Sequence, residues 1–414
     1  MAQLNITLNQ EEILQLLSND RNEAFKKLLE EALNSILKAE SEEQLHAAPY
    51  ERSDERTDSR NGMRERDLAT RIGPITLKVP RHRNVPFRTM IFDTYCRSEA
   101  ALVACMLEMV VNGVSTRKVS KVVETLCGTS FSKSAVSELC KELDEKVAAF
   151  KDRPLKNPYP FITLDATYFK VRENNRIVSK AFMIAYATND HGKREIIGFE
   201  VYPNESKETW EDFLKKLKAR GLRGVLMITS DAHEGIRHAS DKVFPEASWQ
   251  RCQFHFARNI IEKTPKKYQK GLASELQELW NMDRISDARR RRDEIINDYQ
   301  DVAESAMECL DQGFDDAMTV MSLPRFMRKY FRTSNHIERL NRELKRRSKV
   351  IGVFTNCESV IRLMGALLQE RHDEIQERCR SMFTNETYQR LMKPEVIHDL
   401  LLIAELQHNI LAAA

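Results

Sequence analysis

Apolar positions recur at helical spacing through most of the first 150 residues. Residues 10 to 45 carry Leu, Ile, Phe and Ala three and four apart, which predicts two short amphipathic helices. A polar, charge-dense stretch follows, YERSDERTDSRNGMRERD, with the composition of a linker or extended arm. RIGPITLKVPRHR then sets Ile72, Ile75, Leu77 and Val79 around a Gly73-Pro74 turn and predicts a small hairpin with basic flanks. Between 97 and 149, the runs RSEAALVACMLEMVVNG, STRKVSKVVETLCG and SKSAVSELCKELDEKVAAF predict three helices. Ser115 and Ser132 can cap the second and third, and Gly113 and Gly128 can close the first and second. This pattern fits a helix-turn-helix whose recognition helix opens at Ser132, Lys133 and Ser134. It fits a plain three-helix bundle equally well.

From residue 160 the period changes to two. FITLDATYFKV, RIVSKAFMIAYAT and REIIGFEVYP read as three strands separated by the turn clusters RENN and NDHG, an antiparallel meander. KETWEDFLKKLKARG reads as a helix, VLMITSD as a short buried strand, HEGIRHASDKVF as a helix, SWQRCQ as a strand and FARNIIEK as a helix. The order βββ-α-β-α-β-α predicts an α/β protein with a mixed five-stranded sheet, in which the fourth strand can lie parallel beside the first. Residues 264 to 330 read almost wholly helical, in pieces such as ELQELW, ARRRRDEIINDY and ESAMECLDQGF.

Composition narrows the function classes. With 414 residues and 42% hydrophobic content, the chain can bury at least one full core. No apolar run approaching the roughly 20 residues of a bilayer span is evident, and the N-terminus lacks a signal-peptide pattern, so a cytoplasmic protein with no membrane partner is expected. Eight scattered cysteines suggest reduced thiols. The formal net charge is only +3, yet residues 325 to 349 hold ten Lys or Arg against Glu338 and Glu343. Residues 60 to 88 hold eight basic residues against Glu65 and Asp67. Two basic zones suggest a polyanion, although either alone could be a solvated face.

Asp165 sits at the centre of a strand otherwise rich in Phe, Ile, Thr, Tyr and Val. Asp231 ends the fourth strand and would then lie near it. Two such carboxylates repel, and a divalent cation resolves the conflict. Taken singly, Asp165 could be a hydrogen-bonded strand residue, and Asp231 the N-cap of the next helix. Glu338 offers a third carboxylate. In its helix Ile337, Leu340 and Leu344 form an inward stripe, and Glu338, Asn341, Arg342, Lys345 and Lys349 occupy an adjacent face. The bland alternative is an i,i+4 ion pair of Glu338 with Arg342.

These residues carry a family resemblance. RNGMRERDLATRIGPITLKVPRHR, LDATY around Asp165, SDAHEG around Asp231, RCQFHF with its Cys-x-x-His, and SNHIERLNRELKRRSKVIGVF around Glu338 occur in the order found in Mutator-type transposases of bacterial insertion sequences. The chain resembles that family over residues 50 to 355. The resemblance implies a DDE enzyme with an RNase H-like core, in which Asp165, Asp231 and Glu338 are the catalytic metal-binding triad. It also places Cys252 and His255 in a signature between the second Asp and the Glu. The 107 residues between Asp231 and Glu338 would include an all-α insertion domain.

The implied layout is 1–50 N-terminal helices, with a possible role in dimerisation; 51–96 basic arm and hairpin; and 97–150 helical DNA-binding domain. Residues 158–263 form the core's first part, 264–330 the insertion domain, and 331–414 the core's second part with C-terminal helices. The implied activity is Mg²⁺-dependent (or Mn²⁺-dependent) cleavage at terminal inverted repeats, with two ions per site, followed by strand transfer, and a homodimer that holds two DNA ends is expected. Expected DNA contacts are Arg60, Arg64, Arg66, Arg81, Arg83, Ser132, Lys133, Ser134, Asn335, Arg339, Arg342, Lys345, Arg346 and Arg347. A DNA-binding protein that has lost catalysis, or a nuclease of the same fold without strand transfer, stays open as an alternative.

Other signals carry less. Cys252 and His255 lack a matching pair at zinc-finger spacing and read as packing or hydrogen-bonding residues near the active site. His233, Glu234 and His238 miss HExxH by one residue, and no P-loop or GxGxxG supports a nucleotide cofactor. Trp210, Trp249 and Trp280 read as core residues, and Arg289 to Arg292 as a solvated helix face.

Overall fold

The computed structural model describes residues 21–51, 56–70, 72–89, 100–111, 114–127, 131–378 and 380–413. The chain divides into two compact units, Met1–Glu142 and Leu143–Ala414.

In the first unit, helix α1 (Arg21–Leu45) precedes an antiparallel hairpin of β1 (Arg60–Thr70) and β2 (Gly73–His82). The described part of the N-terminal helical pattern is thus one continuous helix, and its expected predecessor lies outside the described residues. Leu37 of α1 packs on Leu68, Ile75, Leu77 and Val79 of the hairpin. Two expectations need correction here. The polar stretch read as an arm supplies most of the first strand, residues 60 to 67, and Thr70 pairs with Gly73, which moves the turn ahead of Gly73-Pro74. The physical reason is exposure: from Asn61 to Glu65 every residue of β1 faces solvent, so no apolar alternation marks it.

Helices α2 (Ala100–Val111), α3 (Thr116–Cys127) and α4 (Lys133–Leu139) pack through Leu102, Met106, Val119, Val123 and Val136. Ser132 caps α4 as expected, its Oγ accepting the Ala135 N–H at 3.0 Å. Gly113 and Gly128, expected to close α2 and α3, lie outside the described residues. The third expected helix does not run on to 149. A tight turn at Cys140–Glu142 ends it, and α5 (Leu143–Asp152) belongs to the second unit, where Val147 and Phe150 join a core that includes Phe199.

The second unit is built on strands β3 (Phe161–Glu173), β4 (Arg176–Thr188), β5 (Arg194–Tyr202), β6 (Met227–Ser230) and β7 (Ser248–Arg251). Their order across the sheet is β5-β4-β3-β6-β7. The first three form the antiparallel meander, and β6 and β7 add in parallel, with Ile162 opposite Ile228 and Thr163 opposite Thr229. This is the mixed five-stranded sheet that the sequence order predicts.

Helices α6 (Lys207–Ala219) and α7 (Glu234–Val243) cover one face. There Trp210, Phe213, Leu214 and Leu217 meet Ile162, Leu164, Met183 and Ala185. Helix α8 (Gln253–Glu262) follows β7, and the helical stretch continues with α9 (Lys266–Leu279), α10 (Ile285–Met318) and α11 (Arg325–Phe331). Helix α10 breaks at Ala303, between the two amphipathic pieces read from sequence. Helices α12 (Asn335–Ile351) and α13 (Cys357–Arg378) join α5 on the opposite face, where Ile337, Leu340, Leu344, Met364 and Leu368 bury Phe169, Phe182, Ile184 and Phe199. Each such buried side chain contributes roughly 1.5–3 kcal/mol of apolar transfer energy.

Helices α14 (Asn385–Leu391) and α15 (Pro394–Ala413) end the chain. By length and composition α15 is long and apolar enough to cross a membrane, with a mean hydropathy of 1.2, which departs from the expectation that no such segment is present. It lies against β7: Gln407 accepts the Trp249 N–H and donates to the Trp249 carbonyl, both at 2.8 Å.

Candidate active site

Strand alternation places Asp165. Ile162 and Leu164 face α6 and α7, whereas Phe169 and Val171 face α12 and α13, and Asp165 shares the second parity. The segment entering α12 is stitched to the sheet. Thr229 Oγ1 donates to the Phe331 carbonyl at 3.0 Å, and the Gln253 N–H donates to the Arg332 carbonyl at 3.0 Å. Beyond Gly352, whose φ of +78° ends α12, Phe354 bridges to β3 through the Arg172 N–H and the Lys170 carbonyl. The helix is thereby tied to β6 and α8 at its start and to β3 beyond its end.

Asn341 on this helix donates to Asp165 Oδ2 at 2.7 Å, and the Ala166 N–H donates to Oδ1 at 2.9 Å. Sequence pattern puts Asn341 with Arg342 on the face adjacent to the inward stripe, and in the structure it is buried. Asp231 follows β6, and its Oδ1 accepts the His233 N–H at 3.3 Å. It does not cap α7; His233 does, accepting the Gly235 N–H. Glu338 Oε1 accepts from the Ser334 hydroxyl at 3.1 Å and lies 3.5 Å from His255 Nε2. Among the described residues it forms no ion pair with Arg342.

Glu338 and Asp231 act on His255, and His255 acts on Asp165. Its pKa is raised to about 9, led by the hydrogen bond with Cys252 and opposed by burial, with the charges of Cys252, Glu338 and Asp231 adding. Burial first, and the Asp231 carboxylate second, push Asp165 up to about 7, against the Ala166 N–H, His255 and Asn341. Burial also pushes the Cys252 thiol up, but hydrogen bonds from His255 and Ser334 outweigh it and hold the thiol below its ordinary value. Cys252 Sγ accepts the Ser334 N–H at 3.3 Å and its hydroxyl at 3.2 Å.

The expected polyanion contacts fare unevenly. Arg339, Arg342 and Lys345 are exposed along α12, as is Asn335 at its start. Arg346 and Arg347 pair with Glu343 at 2.7 and 3.1 Å. In the first unit, Arg64, Arg81, Arg83 and Ser134 are exposed, and Arg66 is half-buried. Arg60 is committed elsewhere, donating to the carbonyls of Ala47 at 2.7 Å and Ala48 at 3.1 Å. Lys133 begins α4.

Sequence reasoning missed Asn341 and Ser334 as site residues. The only signal was position: Ser334 directly before the helix, and Asn341 three residues after Glu338. It also missed Glu205, whose carboxyl is raised by burial and by Asp231, with His233 and Tyr168 pulling it down.

Fold and site together define a mixed α/β protein in which carboxylates from a central strand, from the end of its parallel neighbour and from one overlying helix influence a cysteine-histidine pair at the start of α8. Comparison with known proteins gives the family. Residues 1–378 match the family model described as "Transposase, Mutator family". The chain is 42% identical over 378 residues to the Staphylococcus aureus "Transposase for insertion sequence element IS256 in transposon Tn4001", covering 90% of this chain and 97% of that one. It is 39% identical over 365 residues to the Rhizobium meliloti "Transposase for insertion sequence element ISRM5", covering 88% and 91%. To the Mycobacterium tuberculosis "Transposase for insertion sequence element IS1081" it is 38% identical over 366 residues, covering 87% and 88%. The chain belongs to the Mutator family of transposases.

Proposed function

We propose that the protein binds the terminal inverted repeats of an insertion sequence, cuts DNA strands at its ends and transfers them to target DNA, using an RNase H-like core and the triad Asp165, Asp231 and Glu338. The observation that carries this reading is the hydrogen bond from Asn341 to Asp165. It ties the helix bearing Glu338 to the strand that runs parallel beside the one preceding Asp231.

The donor set fits Mg²⁺ or Mn²⁺: the triad offers only carboxylate oxygens, and burial first, with the Asp231 charge second, makes ionised Asp165 costly until a cation compensates it. Two such ions, when bound, supply charge neutralisation at a phosphodiester. The chain's own residues orient the carboxylates. Asn341 and the Ala166 N–H fix Asp165, the His233 N–H fixes Asp231, and Ser334 with His255 fixes Glu338. The cations Arg339, Arg342 and Lys345 hold phosphates on the exposed face of α12, and Ser132, Lys133 and Ser134 open a helix that reads the repeat. Hydrolysis releases a 3′-hydroxyl, which attacks a target phosphodiester; one such bond replaces another, so no nucleotide is consumed. A homodimer holds the two ends together.

The test is a labelled duplex spanning the element end, incubated with Mg²⁺ and a target plasmid. Wild-type protein should nick at the boundary and join the freed end to the plasmid, and Asp165→Asn should do neither. Equal cleavage by Asp165→Asn overturns the triad. Nicking without joined product makes the protein a nuclease, and binding without nicking a DNA-binding protein.

A further inference from the structure

The tightest group of metal-ligating side chains among the described residues is not the acidic triad. It is Cys252, His255 and Glu338, one ligand atom of each lying within 4.8 Å of the others. His255 Nε2 and Glu338 Oε1 are 3.5 Å apart. In a tetrahedral zinc site, ligand distances of about 2.0–2.3 Å put neighbouring donor atoms roughly 3.3–3.7 Å apart, so this pair already stands at bonding separation.

The sulfur is prepared as a ligand. It is fully buried at the start of α8, accepts the Ser334 N–H at 3.3 Å and lies 3.2 Å from the Ser334 hydroxyl. The same hydroxyl lies 3.1 Å from Glu338 Oε1 and has one proton to share between the two acceptors, while the Ser334 N–H serves the sulfur alone, so Ser334 sits against two of the three ligands. The His255 and Glu338 side chains keep 18% and 23% of their surface exposed, which gives an ion a way in.

We propose that Cys252, His255 and Glu338 form a binding site for a thiophilic divalent cation of the zinc class, with the fourth coordination position left open. A thiolate and an imidazole select such an ion over Mg²⁺, which prefers an all-oxygen set. Glu338 belongs to both sets. Occupancy by the thiophilic ion therefore withdraws that carboxylate from DNA cleavage, a consequence that rests on the function proposed above.

The test titrates the metal-free, full-length chain with Co²⁺ in the absence of DNA. One equivalent should bind and produce a sulfur-to-cobalt charge-transfer band together with the visible bands of four-coordinate cobalt, and Zn²⁺ should bleach both. Cys252→Ser should lose the charge-transfer band. Ser334→Ala keeps all three ligands and should weaken binding roughly 10- to 100-fold. Asp165→Asn should leave the spectrum unchanged. A wild-type chain without the charge-transfer band overturns the proposal, as does a band that survives Cys252→Ser or disappears in Asp165→Asn. The wild-type titration needs no variant to fold. A missing band with Asp165-dependent cleavage intact sinks only this site, and an intact band with cleavage indifferent to Asp165→Asn sinks only the proposed function.

Discussion

Asn341 Nδ2 donates to Asp165 Oδ2 at 2.7 Å across 176 residues of chain, and this bond sets the helix bearing Glu338 against the central strand. Asn341 is therefore a positioning residue for Asp165. Asn341→Ala should lower the cleavage rate about 10- to 100-fold, the usual effect of removing a partner that orients a ligating carboxylate. Affinity for terminal-repeat DNA should stay unchanged, because the residue is buried. Single-turnover cleavage measured alongside DNA binding separates the two quantities. Equal loss of both would make Asn341 a packing residue only.

A buried carboxylate beside another carboxylate costs stability. The folded pKa of Asp165, about 7, exceeds the ordinary 3.8. Its contribution to stability is therefore fully present below pH 3.8 and is lost as pH rises through about 7. Without divalent cations, Asp165→Asn should be more stable than wild type at pH 8 by on the order of 1–3 kcal/mol, with a higher melting temperature, and should melt at nearly the same temperature as wild type below pH 4. Added Mg²⁺ should narrow the gap at pH 8 by stabilising wild type alone. Parallel melting curves at all pH values would remove the like-charge account.

These residues differ in how much the sequence reveals. Asp165 was legible because it interrupts an apolar strand, and Asp231 because the order of strands and helices puts β6 beside β3. The stripe of Ile337, Leu340 and Leu344 was legible from its period, and all three residues are buried. Asn341 was not. At 100° per residue it stands about 40° from Ile337 and about 60° from Glu338, on the border where a polar side chain reads as surface. Only the tertiary partner decides its direction. Strand β1 stayed hidden for the opposite reason: its exposed face leaves an Arg-rich, charged strand that resembles a linker. The Cys252, Ser334 and Glu338 contacts join segments 82 residues apart, beyond what local spacing reveals.

The exposed cations of α12 should carry non-specific affinity for DNA. Arg339→Ala, Arg342→Ala and Lys345→Ala should each weaken binding to all duplexes alike and reduce the slope of log affinity against log salt by about 0.9. Arg346→Ala should change it less, since Glu343 already shares that charge at 2.7 Å. Binding isotherms at several salt concentrations check the slopes. Unchanged slopes in the first three variants would place the DNA elsewhere.

His372 gives the second unit a stability that fails in acid. Burial first, and Arg153 second, depress its pKa from 6.5 to about 4, and its Nδ1 accepts the Ile196 N–H at 3.3 Å while the ring packs on Phe150 at 5.2 Å. Protonation removes that acceptor from the link between α13 and β5. The folded pKa lies below the unfolded one, so the contribution is present above pH 6.5 and is lost as pH falls through about 4. It amounts to at most roughly 2 kcal/mol after screening at this half-buried ring. His372→Gln retains an acceptor that does not titrate, and the difference in urea stability between it and wild type should therefore shift across this window. A constant difference from pH 7.5 to pH 4 would show that the imidazole titrates alike in the folded and unfolded chain, and the acid sensitivity would then belong to other groups.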